Sequence, residues 1–187
     1  MVKSEMHPEE FEAGWLPGKR QMSRLVHHLR EWSARGDREI KESEMTELKV
    51  WVLFYGSFIN LDVLRGTGLA PDRVEVARLG GFDIVVRPLA NLIRSDQHSV
   101  YGILAKATHA ELGRLYDYAR DTLGGTYLPE AVQAETAGAW RPALCYIAPH
   151  MEPRTPSNDY MDRIVIAARQ HGFPAWYLAR LEGLRPV

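Results

Sequence analysis

Two things are scarce in this sequence: cysteine, and an excess of charge of either sign. Cys145 is the only cysteine in 187 residues, so the chain cannot form an intramolecular disulfide. It lies in the apolar run 143–147, which predicts a buried, inert thiol, since reactive thiolates need electropositive surroundings. The formal net charge is −1 and no stripe of Lys and Arg occurs. Nucleic acid and membrane surfaces are therefore not expected as partners.

Other absences narrow the class of protein further. Residues 1–12 contain acids and a proline where a signal peptide needs an apolar run, so we expect a cytoplasmic protein. The histidines have no mutual spacing suited to a metal ion, and no metal site is expected. Ser57 lacks the Gly-x-Ser-x-Gly turn of a hydrolase nucleophile. The lack of a repeated βαβ unit and of a glycine-rich phosphate loop disfavours a parallel Rossmann sheet.

What remains is the composition of a soluble globular domain, with 45% hydrophobic and 25% charged residues. Residues 1–47 differ from the rest, because they are highly charged with scattered apolar positions. We therefore divide the chain into an N-terminal helical extension, residues 1–47, and one domain, residues 48–187. The extension has three open roles: covering the pocket, packing on the domain, or mediating a homodimer. Its single amphipathic helix is predicted from the spacing of Met22, Leu25, Val26, Leu29 and Trp32.

Short β-rich segments dominate the domain. They are predicted as strands over residues 49–55, 74–79, 82–87, 99–105, 127–136 and 141–148. Gly80-Gly81 separates two of them and is typical of a hairpin turn. Gly102 lies inside another and indicates a bulge or a close backbone approach.

Helices are interspersed among these strands. A short one is predicted at residues 60–65, and the capping box Thr108–Glu111 opens a longer one that ends before Gly124-Gly125. Ser157 caps a helix that continues to His171, and Pro174 begins a last short one. This order of elements predicts an α+β fold with a mainly β core.

Several stretches resemble one family. The sequence Phe-Tyr-Gly-Ser-Phe-Ile-Asn at 54–60 resembles the strand-to-loop signature of gamma-glutamylcyclotransferases. Residues 156–160 and 172–177 are similar to that family's closing helices. Between them, residues 100–104 resemble its internal strand, and Tyr127 with Val132 resembles the strand after its central helix. The resemblance to the gamma-glutamylcyclotransferase-like (AIG2-like) family spans residues 50–184, in the right order.

The resemblance implies a fold and a reaction. The fold is a small mixed, barrel-like β-sheet with flanking helices, to which the extra N-terminal helix is added here. In the reaction, the α-amine of a gamma-glutamyl amide attacks its own γ-carbonyl and releases 5-oxoproline and an amine, with no metal or organic cofactor. Tyr55, Gly56, Ser57 and Phe58 are then expected to bind substrate. Amides exposed after a strand end accept a carboxylate or an oxyanion, and glycine permits the sharp turn.

One departure from the family pattern concerns the general base. The family carries a glutamate on its central helix, and the matching position here holds Tyr116. A phenol, with an ordinary pKa of about 10, is a poor base near neutrality. Glu130 is the expected replacement, because period-two alternation puts it on the face of Leu128 and Val132, where burial would raise its pKa. A structural glutamate paired with an arginine such as Arg87 or Arg141, or an acid at a strand edge, remains the alternative.

Arg87, Asn91, Tyr116 and Tyr127 complete the predicted site. Arg87 offers a bidentate fork to a substrate carboxylate, although a strand-end salt bridge is an equal possibility. Two functions stay open. The first is an enzyme that cleaves a gamma-glutamyl amide and uses Glu130 to move protons, and the second is a non-catalytic module that binds an acidic small molecule on the same fold.

Overall fold

The computed structural model describes residues 48–186. The predicted N-terminal extension lies outside these residues. The strands are β1 (Lys49–Phe54), β2 (Val74–Val86), β3 (Ala90–Thr108), β4 (Leu128–Thr136) and β5 (Ala139–Ile147). A 3₁₀ turn (Gly56–Ile59) and the helices α1 (Leu61–Gly66), α2 (His109–Leu123), α3 (Asn158–Gln170) and α4 (Ala175–Glu182) connect and flank them.

The five strands form a closed barrel in the order β1-β3-β2-β4-β5. Neighbouring strands are antiparallel except β1 and β5, which close the barrel as a parallel pair with Val52 opposite Leu144. Because β1 has partners on both sides, its apolar residues Leu53 and Phe54 are buried. The predicted α+β class with a small mixed barrel is confirmed.

The hairpin turn predicted at Gly80-Gly81 is wrong. Strand β2 continues through both glycines, and its register against β3 shifts between Gly80 and Phe82. Gly81 adopts a positive φ of 81°, so the pair forms a bulge that bends the β2–β3 hairpin. The chain turns at residues 87–89 instead, where the Arg87 amide donates to the Leu89 carbonyl at 2.9 Å.

Strand β3 is longer than predicted, because it begins at Ala90 rather than near Ser99. Residues 93–98 are mostly polar and exposed, so they lack the alternation that identifies a half-buried strand. Because β3 begins at Ala90, the β2–β3 hairpin extends beyond the bulge, and its tip lies at one end of the barrel.

The predicted helix boundaries hold to within a residue or two. Thr108 accepts from the Glu111 amide at 3.1 Å, and the Glu111 carboxylate accepts from the Thr108 amide at 2.8 Å, which confirms the capping box. Gly124 ends α2 with a φ of 71°. Ser157 caps α3, and α4 follows Pro174. None of the described helices is long and apolar enough to cross a membrane.

Cys145 is fully buried in the barrel core. Burial raises the pKa of its thiol to about 12, so the group stays protonated near neutrality. The prediction of a buried thiol is confirmed.

Gly102 allows β1 and β3 to approach closely, as its place in the sequence predicted. A Cβ atom at this position would lie 2.3 Å from the Phe54 carbonyl oxygen and 3.1 Å from Leu53 Cδ1. We expect Gly102→Ala to lower the free energy of unfolding by about 2–3 kcal/mol, because a main-chain oxygen inside the barrel cannot move aside cheaply. Urea denaturation measures the change.

Gly80→Ala is the matched control in the neighbouring strand. No atom lies within 4 Å of a Cβ built there, so the change in the free energy of unfolding should stay within about 1 kcal/mol. Equal effects of the two substitutions would contradict the steric account.

Candidate functional site

A small cavity lies at the end of the barrel where β1 and β5 both finish, and about 20 Å³ of it is open to the centre of a water-sized sphere. The 3₁₀ turn, the tip of the β2–β3 hairpin, and helices α2 and α3 contribute its other walls. Five of the eight tyrosines in the sequence line it. The complete lining is Tyr55, Ser57, Phe58, Leu89, Ala90, Tyr116, Ala119, Leu123, Tyr127, Tyr146 and Tyr160.

Two of these tyrosines are fixed by the main chain of Ala90. The Tyr127 hydroxyl donates to the Ala90 carbonyl at 2.8 Å, and the Ala90 amide donates to the Tyr160 hydroxyl oxygen at 2.9 Å. Ala90 is buried, so its amide and carbonyl need partners inside the protein. Both phenols therefore stabilise the main chain of Ala90, and the same hydrogen bonds hold their rings in place.

Three further aromatic rings belong to the lining. The rings of Tyr116 and Tyr146 stack with centroids 3.7 Å apart and planes 9° from parallel, and Phe58 meets Tyr116 edge-on at 6.0 Å. The Tyr55 hydroxyl donates to the Tyr146 carbonyl at 2.7 Å. Within residues 48–186, the hydroxyls of Tyr116 and Tyr146 have no hydrogen-bond partner.

The cavity carries no formal charge at neutral pH. Burial raises the pKa of Tyr55 and Tyr116 well above the usual value, and it also raises the pKa of Tyr127 and Tyr160. Hydrogen bonds from Ala90 and Ser57 act against the increase at Tyr160. No Asp, Glu or His belongs to the lining. The phenols therefore act as neutral hydrogen-bonding groups, and none of them is a base near pH 7.

The structure brings five of the predicted site residues together. Tyr55, Ser57, Phe58, Tyr116 and Tyr127 all line the cavity. They come from three separate parts of the chain: the turn after β1, the middle of α2, and the residue that precedes β4. Tyr116 faces the cavity from α2, and no helical carboxylate accompanies it there.

Gly56 has a different role from the one predicted. Its φ of 60° confirms the sharp turn. A Cβ atom built on it would lie 2.4 Å from the Ala90 Cβ, so the hairpin tip occupies the space beside this glycine.

Glu130 does not lie in the environment predicted for it. Its side chain is 38% exposed and accepts a hydrogen bond at 2.5 Å from Arg94, which is itself 73% exposed. It is absent from the cavity lining. The expected burial is wrong, because the β4 face that carries Glu130 is open to water near the start of the strand. The alternative of an arginine pair is correct, with Arg94 as the partner, and the position gives no support to a proton shuttle.

Asn91 and Arg87 also lie outside the lining. The buried Asn91 side chain donates to the Ala148 carbonyl and accepts from the Ala148 amide, both at 2.9 Å, so it ties the start of β3 to the end of β5. Its hydrogen-bonding capacity is used by the protein itself. Arg87 is exposed and belongs to a separate surface groove with Arg154.

Sequence reasoning missed six lining residues: Leu89, Ala90, Ala119, Leu123, Tyr146 and Tyr160. Ala119 lies about one helical turn after Tyr116, so the period of α2 predicts that it shares the same face. Tyr146 alternates with the buried Cys145 along β5, which indicates that its side chain faces the other way. No local pattern indicates that Tyr160 reaches the hairpin tip.

Metal binding finds no support in the part of the chain that the structure describes. Within residues 48–186, no three side chains of His, Cys, Asp or Glu lie close enough together to hold an ion.

Comparison with known proteins agrees with this architecture. Residues 99–181 match the model of the AIG2-like family. Among solved structures, a gamma-glutamyl cyclotransferase aligns with a TM-score of 0.63 and 20% identity over 75% of this chain and 90% of its own. The human protein loc79017 gives 0.62 and 22% over the same shares. YkqA from Bacillus subtilis gives 0.62 and 18% over 80% of this chain and 57% of its own. No curated protein matches the sequence significantly.

The closed mixed barrel with flanking helices is thus the fold of the gamma-glutamyl cyclotransferases. The AIG2-like match over residues 99–181 falls within this fold and agrees with it. The resemblance found in the sequence is confirmed.

The Tyr127 hydroxyl has a hydrogen-bond partner within residues 48–186 and the Tyr116 hydroxyl has none, and this difference predicts unequal effects on stability. Tyr127→Phe leaves the buried Ala90 carbonyl without its donor, so the free energy of unfolding should fall by about 1–3 kcal/mol. Tyr116→Phe removes a hydroxyl that has no partner within residues 48–186, and its cost should stay below about 0.5 kcal/mol. Chemical denaturation of both variants measures this, and a costlier Tyr116→Phe would contradict the assignment.

Proposed function

We propose that the chain is a ligand-binding protein on the gamma-glutamyl cyclotransferase fold, which holds a glutamyl-type small molecule in the tyrosine-lined cavity without cyclising it. The observation that carries the proposal is the chemistry of the lining. Its only ionisable side chains are phenols, and burial raises the pKa of Tyr55, Tyr116, Tyr127 and Tyr160. The cavity offers hydrogen bonds and aromatic faces, and it lacks a group that accepts a proton near pH 7.

The lining suits the zwitterionic end of a glutamyl group. The free hydroxyls of Tyr116 and Tyr146 can donate to a carboxylate, and hydrogen bonds to charged groups are stronger than neutral ones. The faces of tyrosine rings attract an ammonium group.

Cyclisation needs a step that this lining does not supply. The α-ammonium of the substrate must lose a proton before its nitrogen can attack the γ-carbonyl, and a positioned base normally takes that proton. A phenol whose pKa is raised above its ordinary value is a poorer acceptor at neutral pH than a carboxylate. Binding without turnover follows from this difference.

The second candidate is cyclotransferase activity, in which a gamma-glutamyl amide is cleaved to 5-oxoproline and an amine. The fold shared with a gamma-glutamyl cyclotransferase favours it. Its base would have to come from outside the lining. Glu130 is the candidate from the sequence, but it is half-exposed and paired with Arg94, so its carboxylate would first have to leave that pair.

Thermal unfolding with and without gamma-glutamyl dipeptides and gamma-glutamylamines tests the proposal, with 5-oxoproline measured in the same samples. We expect saturable stabilisation by at least one compound, without release of 5-oxoproline above the level in buffer. Tyr116→Phe should weaken binding about threefold to tenfold, because one hydrogen bond to the ligand is lost.

Tyr118→Phe is the matched control, because Tyr118 is a substantially exposed tyrosine on the same helix and is absent from the lining. It should bind as the unaltered protein does. Release of 5-oxoproline that Glu130→Gln abolishes would contradict binding alone and support the second candidate. The absence of both stabilisation and turnover with every compound would contradict both.

A further inference from the structure

Most arginines in the described part of the chain have an acidic partner. Nine of the thirteen within residues 48–186 form an ion pair with Asp or Glu. Among residues 48–186, the four without such a pair are Arg87, Arg114, Arg154 and Arg163. Two of these four, Arg87 and Arg154, line the same surface groove.

This groove is open to solvent and carries positive charge. Arg185 is a third arginine in its lining, but Glu182 and Asp162 already neutralise it. No acidic residue belongs to the lining. Glu152, which is close to Arg154 in sequence, pairs with His150 at 3.1 Å. The charges of Arg87 and Arg154 therefore have no compensating partner among residues 48–186.

Apart from Thr155, the rest of the groove is lined by apolar residues. Val86 and Leu184 contribute aliphatic surface, and prolines at 153, 156 and 186 form much of the remaining wall. Proline fixes its own φ, so these walls lose little conformational entropy when a ligand binds. Each guanidinium offers a planar fork that fits two oxygens of a carboxylate or a phosphate.

We propose that Arg87 and Arg154 form a second ligand site, which binds a small organic anion with at least two negative charges and a short apolar part. The site is distinct from the tyrosine-lined cavity, whose lining contains neither arginine. It goes beyond the proposed function and does not depend on it. Carboxylate and phosphate share the required chemistry, and the probes below distinguish them.

Calorimetric titration with citrate, pyrophosphate and acetate at equal ionic strength tests the site. We expect saturable one-to-one binding of citrate, of pyrophosphate or of both, and acetate at least about tenfold weaker, since it carries one charge. Arg87→Gln and Arg154→Gln should each weaken binding about tenfold, the effect of losing charge-assisted hydrogen bonds.

Arg114→Gln is the control, because Arg114 also lacks an acidic partner within residues 48–186 but is absent from the groove. It should leave the affinity unchanged. The Nε–Hε NMR resonances of Arg87 and Arg154 in the unaltered protein provide a readout that needs no variant, and they should shift on binding. No saturable binding of either polyanion, or equal loss in all three variants, would overturn the proposal.

Discussion

The cavity depends on the main chain of Ala90, which is held between the hydroxyls of Tyr127 and Tyr160. This residue begins β3 at the tip of a bent hairpin, where a buried amide and carbonyl must find partners within the fold. The next residue, Asn91, ties the tip to Ala148 at the end of β5. Gly56 provides the space into which the Ala90 side chain packs. These contacts place the hairpin tip over the end of the barrel and so create the wall of the cavity.

The same contacts determine the chemistry of the cavity. The hydroxyls of Tyr127 and Tyr160 hydrogen-bond to the main chain of Ala90, and the Tyr55 hydroxyl donates to the Tyr146 carbonyl. Three of the five lining phenols are therefore already hydrogen-bonded. Only Tyr116 and Tyr146 keep hydroxyls without a partner in the described residues. Burial keeps these phenols neutral near pH 7. Among the described residues, the lining of this cavity thus contains phenols but no carboxylate or imidazole.

Local patterns predicted most of the fold and about half of the cavity. Capping residues and glycines fixed the ends of α2 and α3, because those effects act within a few residues. Gly80-Gly81 was wrongly predicted to form a hairpin turn, since two glycines suit a β-bulge as well as a turn. The burial of Glu130 was mispredicted, because the period-two alternation of a strand shows which face a residue lies on but not whether other elements pack against that face. The place of Tyr160 in the cavity could not be predicted from local patterns, since its contact with Ala90 spans 70 residues.

The central claim is that a ligand binds against the free hydroxyls of Tyr116 and Tyr146. NMR of protein labelled with ¹³C at the hydroxyl-bearing carbon of tyrosine tests it most directly. On titration with a gamma-glutamyl compound, the account predicts saturable shifts of these two resonances and none for Tyr118, which is absent from the cavity lining. Saturable binding that leaves the resonances of Tyr116 and Tyr146 unmoved would contradict the account.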